Sequence, residues 1–211
     1  MNNSAAALFY NGKLIIAIEN ERLSRIKNDA SFPFLAIREC LSYCNINFNQ
    51  IDHIAIYWKP WKFFRRTEAV LKKIIFVRTG ISPLLSRVKD IFTTNKKISS
   101  HESNWFDLFF IKSILKKEFG PFNAKVNFYD HHMTHKVYSE SIHKVSNFVS
   151  LSYDGGGEEY SSILSAVDQG KRKIILKHKW PNSLGHYYST FTGFLGFKML
   201  EGEYKMMGLA P

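Results

Sequence analysis

The chain has little cysteine: two residues in 211, Cys40 and Cys44. They stand four apart on one face of an expected helix, outside C-x-x-C spacing. They read as small core residues of a reducing compartment rather than a redox pair or half a metal site. No apolar run is long enough to span a bilayer. The N-terminal stretch MNNSAAALFYNGK lacks the basic start and apolar core of a signal peptide, so a cytoplasmic protein is expected. Tandem repeats and low-complexity linkers are missing. Acidic residues are also scarce, 18 against 29 Lys and Arg, for a net charge of +11. That deficit is local: residues 59–117 hold 14 basic and 4 acidic side chains. The basic balance therefore describes one segment and not the whole surface.

What is present suits a folded domain. A hydrophobic content of 45% can bury a core. The length allows one large domain or two small lobes. AAALFYNGKLIIAIENE reads as a hairpin turning at Asn11-Gly12. FPFLAIRECLSYCNI has helical spacing. IDHIAIYW reads as a strand covered on both faces. WKFFRRTEAVLKKIIFVRT and NWFDLFFIKSILKKEFG read as two helices, the second capped by Asn104 and ended by Gly120. A strand KVNFYD, a helix HHMTHKVYSES and a strand NFVSLSYD follow. YSSILSAVD and KIILKHKW form a second hairpin across QGKR. HYYSTFTGFLGF reads as helix and EGEYKMMGLAP as a loop. The order predicts an α/β fold with a recurring strand-and-hairpin unit.

Two neighbouring patterns carry chemistry. His131 and His135 are spaced i,i+4, which puts both imidazoles on one helix face. His132 points elsewhere, Asp130 ends the preceding strand, and His143 reads as a surface residue. Asp154, at the end of the next strand, can supply a carboxylate. Two neutral imidazoles and a carboxylate suit iron, zinc or manganese better than calcium or magnesium. The pair alone is a weak signal; followed by a strand ending in Asp-Gly-Gly-Gly it is far more specific. Gly155, Gly156 and Gly157 can line an anion nest or form a plain turn. Glu158 and Glu159 would repel phosphate unless a cation stood nearby, and the histidine cluster would hold one.

Five collinear stretches, AAALFYNGKLIIAIENERLSRIKND, DHHMTHKVYSE, LSYDGGGEE, SLGHYYSTFTGFLGF and GEYKMMGLAP, closely resemble the N-terminal domain of NodU/CmcH-type O-carbamoyltransferases. That domain is Kae1-like. The resemblance covers nearly the whole chain, loosely over 59–117. It implies an ASKHA architecture, actin/Hsp70-like lobes of RNase H topology. Residues 1–146 would form the first lobe, with 59–117 as a basic helical insertion, and 147–211 the beginning of the second. It implies transfer of a carbamoyl group from carbamoyl-adenylate, made from carbamoyl phosphate and ATP by a separate YrdC-like domain, to a hydroxyl of a sugar, glycan or natural product. It also implies a ferrous or similar divalent ion held by His131, His135 and Asp154. Gly155, Gly156 and Gly157 would hold the adenylate phosphate. Lys27 would neutralise developing negative charge, and Lys205 and Gly208 would line the cleft.

There are departures from the family pattern. Its motif His-Asp-x-Ser-Ala-Ala carries a histidine expected to act as base; MNNSAAA has Asn2 there, which is no base near neutral pH. The second aspartate ligand and the rest of the second lobe are expected to lie beyond Pro211, and the YrdC-like domain outside this chain. The chain is thus expected to be part of a Kae1-like domain: a fragment, a split product or a degenerate copy. Rival expectations are an inactive nucleotide- or metal-binding scaffold and a tRNA threonylcarbamoyl transferase-like enzyme. The aromatic, basic segment 59–117 can contact an anionic membrane or glycolipid, can present cations to water, and makes only a weak case for nucleic acid.

Overall fold

The structure is a computed structural model that describes residues 3–62, 105–142, 146–199 and 202–209. Asn2, Asn104, His143 and the expected helix after Trp61 lie largely or wholly outside the described residues. The described part is mixed α/β, as the order of patterns predicts. It divides into two compact units. One gathers the described residues up to Ala55 and those from 105 to Asn127; the other gathers 56–62 and those from Phe128 onward.

In the first unit, β1 (Ala5–Tyr10) and β2 (Lys13–Glu19) pair antiparallel, with Tyr10 opposite Lys13. Asn11 (φ 48°) and Gly12 (φ 75°) both take positive φ, as a two-residue hairpin turn demands. A short α1 (Asn20–Ser24) leads to α2 (Phe34–Cys44), which packs on the hairpin. The core beside it is aromatic. Phe48 stacks on Phe119 at 4.6 Å between centroids and meets Phe122 edge-on at 5.1 Å. Cys40 is buried there and Cys44 half-buried, both as free thiols.

The start of α2 has no cap of its own at Pro33. Buried Asn20 supplies one from a distance: its Oδ1 accepts the Ala36 N–H at 3.1 Å. Its amide nitrogen donates to Asp29 Oδ2 (2.7 Å) and Ser31 Oγ (3.1 Å). Burial alone would raise the Asp29 carboxyl. Hydrogen bonds from Ser31, Ser24 and Asn20 outweigh it and lower the group from 3.8 to about 2. The carboxylate therefore contributes stability that is complete above 3.8 and is lost as pH falls through about 2. Urea unfolding across that window should show Asp29→Asn with lower stability than the parent at neutral pH and a flatter acid limb. Equal acid limbs in the two proteins would contradict the assignment.

Three expectations need correction. β3 (His53–Ile56) alternates exposed and half-buried residues, so it is not covered on both faces; among the described strands it pairs only with β4 (Lys125–Phe128). NWFDLFFIKSILKKEFG is not one helix: a 3-10 turn over Trp105–Phe109 precedes α3 (Ile111–Phe119), with Phe110 (φ −107°, ψ 13°) between them. α3 buries Ile111 and Leu115 while Lys112, Lys116 and Lys117 face water. Gly120 (φ 82°) ends it, as expected. The third correction falls in the second unit, where EGEYKMMGLAP is not wholly loop but contains a short helix.

In that unit α4 (His131–Ile142) packs on β5 (Phe148–Tyr153) and β6 (Tyr160–Asp168), which continue into β7 (Lys171–Lys179) as an antiparallel sheet. The sheet face under α4 is unusually polar, with Ser150, Ser152 and Ser165 all buried. The helix meets it with polar partners. His132 Nδ1 accepts from Ser152 Oγ at 2.8 Å, and Lys136 Nζ donates to Ser165 Oγ. Burying such groups is tolerable only because they pair. α5 (Leu184–Phe194) follows, and the short helix α6 (Glu203–Met207) packs on it, with Ser189 Oγ donating to Glu203 Oε1 at 2.7 Å. No helix among the described residues is long and apolar enough to cross a membrane.

Candidate functional site

His131 and His135 project from one face of α4, and the β5–β6 connection carries Asp154 to them. Asp154 Oδ2 lies 2.7 Å from His131 Nε2 and 3.6 Å from His135 Nε2; the two ring nitrogens are 3.1 Å apart. The three ligand atoms lie within 4.8 Å of one another. Hydrogen bonds from His131, then His135, and from the Gly155 N–H (2.6 Å) hold the Asp154 carboxyl far below the usual carboxylate range, against the opposing effect of burial. The group is a committed anion.

This set fits a first-row divalent ion. Ligand atoms about 2.1 Å from an ion and separated by 90–109° stand roughly 3.0–3.4 Å apart, close to the spacings seen. Protons satisfy the cluster less well. If His131 Nε2 carries the proton given to Asp154, that nitrogen has no lone pair to offer His135. A cation shared by three lone pairs removes the conflict. The His131 ring packs against Trp58 (4.9 Å) and Tyr57 (5.8 Å), and its side chain is 11% exposed. His135 and Asp154 are 52% and 43% exposed. The cluster thus has a dry wall and an open side, the form of a catalytic rather than a closed structural site.

Glu158 turns inward and does not face the glycine loop's exterior. It is 3% exposed, and its carboxylate accepts the His131 N–H (3.1 Å) and the Lys59 N–H (3.0 Å). An acid at a helix N-terminus is favoured by the unpaired amides and the dipole. Lys59 donates to Asp130 at 2.6 Å, and Lys62 pairs with the same carboxylate. Burial tends to raise Asp130, but the two lysines bring its net shift downward. These lysine contacts with Asp130, 68 and 71 positions away, had no sequence signal. Two cations of the basic segment are thereby spent on structure.

The glycine loop is a tight return from β5 to β6. Gly155 N–H closes on its neighbour's carboxylate, and Gly157 N–H donates to Tyr160 O at 2.8 Å. A side chain at Gly157 would meet the His132 ring at 2.8 Å, and His132 Nε2 in turn holds Tyr160 O at 2.8 Å. Burial lowers the His132 pKa, so the ring is a neutral brace. Ser183 caps α5: its hydroxyl accepts the His186 N–H and donates to Asp154 O at 2.7 Å. The first turn of α5 therefore abuts the loop, so close that a Cβ at Gly185 would lie 2.7 Å from Gly155 N. Gly185 lies within SLGHYYSTFTGFLGF, and this close approach gives it a role.

The other expected site residues are described by their own surroundings. Lys27 is exposed and belongs to the first unit. Lys205 lies on α6 with its ammonium 6.0 Å from the Tyr204 ring centroid, and Gly208 follows that helix. Asn2 is not among the described residues.

Comparison with known proteins adds the relationship. Residues 1–211 match the family described as carbamoyltransferase N-terminus. The chain is 31% identical to an uncharacterized protein of Synechocystis sp., sll1178, over all of this chain and 33% of that protein. It is 31% identical to the nodulation protein NolNO of Sinorhizobium fredii, over all of this chain and 28% of that protein. An uncharacterized protein of Methanocaldococcus jannaschii, MJ1051, is 23% identical over 99% of this chain and 31% of its own length. The chain thus spans about a third of the length of these curated relatives. On this match, the chain belongs to the carbamoyltransferase N-terminus family.

Proposed function

We propose that this chain supplies the metal-binding part of the acyl-transfer site of an O-carbamoyltransferase with an ASKHA-type Kae1-like domain. The reaction transfers a carbamoyl group from carbamoyl-adenylate, formed from carbamoyl phosphate and ATP, to a hydroxyl of a sugar, glycan or natural product, with AMP leaving. The observation that carries the reading is the convergence of His131, His135 and Asp154 beside the glycine loop. Likeness to a nodulation protein accords with a glycan acceptor.

A ferrous or similar divalent ion, when bound, would polarise the carbamoyl-adenylate and offset phosphate charge. The chain's own contribution is placement. Neutral imidazoles on α4 and the ionised Asp154 would hold the ion, while Glu158 fixes the helix end that carries His131. Anion contacts fall to Gly156 and to the first-turn amides of α5, since Gly155 and Gly157 spend theirs within the loop. The Trp58 and Tyr57 rings keep water from one side, which strengthens the local electrostatics. The roles of Lys27, Lys205 and Gly208 rest on the resemblance alone. Asn2 leaves the hydroxyl-activating base to another group. Synthesis of the adenylate requires a YrdC-like domain.

The test is made on the full-length protein with carbamoyl phosphate, ATP and a panel of hydroxyl acceptors. Metal-dependent AMP release with a carbamoylated product, lost in His135→Ala, is the expected result. Metal and nucleotide binding without turnover would instead favour an inactive scaffold, and transfer of a threonylcarbamoyl group to tRNA, in a parallel assay supplied with threonine, bicarbonate and ATP, the threonylcarbamoyl-transferase reading.

A further inference from the structure

A cavity of about 170 Å³ lies on the sheet side of α4, away from the His131 and His135 face. Its basic lining is Lys62, Lys136, Arg172 and Lys177; Met133, Ile163 and Ile174 supply apolar wall. Strand β7 reaches it through a bulge. Ile174 pairs with Ser165 and Leu176 with Leu164, so Ile175 is the extra residue. Side chains alternate along a strand, so without that insertion Arg172 and Lys177 would point to opposite faces. The bulge brings both to the cavity.

The cations are not equally committed. Lys62 pairs with Asp130 and Arg172 with Glu140. Lys177 holds its ammonium 4.8 Å from the centre of the Tyr160 ring. Lys136 is 2% exposed, and among the described residues its ammonium has one hydrogen-bond partner, Ser165 Oγ. An ammonium has three N–H donors, so two of them are buried without a described protein acceptor. Two of the cavity's three acids are engaged elsewhere, Asp130 by two lysines and Glu158 by two backbone amides; the third is Glu159. Glu140, one turn along α4, attracts Lys136 but hydrogen-bonds Arg172, so the Lys136 ammonium keeps donors that an oxyanion would satisfy.

We propose that this cavity binds a small phosphate-type oxyanion through Lys136 and Lys177, independently of the metal cluster. Two ammonium groups act as point charges suited to a tetrahedral anion, while the guanidinium that would favour a planar carboxylate is occupied by Glu140. The apolar wall would take a short substituent of a phosphate monoester.

The test is calorimetric titration of the EDTA-treated full-length protein with inorganic phosphate at constant ionic strength, so that a metal-held phosphate does not contribute. Saturable binding is expected, weakened roughly tenfold or more in Lys136→Met. Cobalt binding at the histidine cluster should remain that of the parent. Should Lys136→Met fail to fold by circular dichroism, Lys177→Met, on an exposed strand, must show the same weakening. The proposal is overturned if phosphate binds the folded variant as tightly as the parent, if the parent shows no saturable binding, or if acetate binds equally well.

Discussion

Asp154→Asn should lower divalent-ion affinity by roughly a hundredfold or more and abolish the cobalt absorption of the histidine cluster. The magnitude follows from the ligand count. Changing groups that merely orient metal ligands costs about 10–100-fold, and Asp154 is proposed as a ligand itself. It is also the cluster's anion, held ionised by His131, His135 and the Gly155 N–H. An amide keeps the shape but removes the charge. It presents a weak oxygen donor or an N–H, and the latter would repel an ion between two imidazoles. Stability at neutral pH should also fall, because the carboxylate's hydrogen bonds from His131, His135 and Gly155 favour the folded state, although the Ser183 bond to the backbone carbonyl of Asp154 survives. Equal cobalt titrations of the variant and the parent would remove the metal reading, and with it the main support for the proposed chemistry.

Gly185→Ala should damage the same site without touching a ligand. A methyl there would stand 2.7 Å from Gly155 N, 2.8 Å from Gly155 Cα and 3.1 Å from the Asp154 carbonyl carbon. All three are backbone atoms, so no side chain can swing aside. Either α5 withdraws or the glycine loop moves, and Asp154 moves with it. Overpacking of this kind costs about 1–3 kcal/mol, so the denaturation midpoint should fall and cobalt affinity with it. Gly193→Ala is the matched control on the same helix. Its methyl would meet Met199 Cγ at 2.9 Å and Sδ at 3.0 Å, the end of a flexible side chain that can yield. It should cost less and leave cobalt binding alone. Equal effects from the two substitutions would show that the contact between α5 and the loop does not hold the site.

Both predictions depend on contacts of different sequence range, and this separates what could be read early from what could not. The i,i+4 histidines were legible because helical period depends only on nearest neighbours along the chain. Asp154 was legible because it ends an apolar run, and the Asn11-Gly12 hairpin because both residues accept positive φ. Where local patterns misled, the cause lay in packing. IDHIAIYW is a nearly continuous apolar run, yet only alternate positions of β3 are half-buried, and EYKMM became helix where it packs on α5.

By itself, then, the sequence determined the α/β order of elements, the histidine pair with its carboxylate and glycine loop, and the family. Tertiary structure decided the rest. It turned Glu158 inward onto two amides, gave Asp130 to Lys59 and Lys62, pressed Gly185 against the loop and buried Lys136 on Ser165. Each of these depends on which distant segments meet and in what register. A single bulge at Ile175 moves Lys177 from one face of the sheet to the other. Composition and periodicity describe the faces that a segment can present; only packing selects what each face meets.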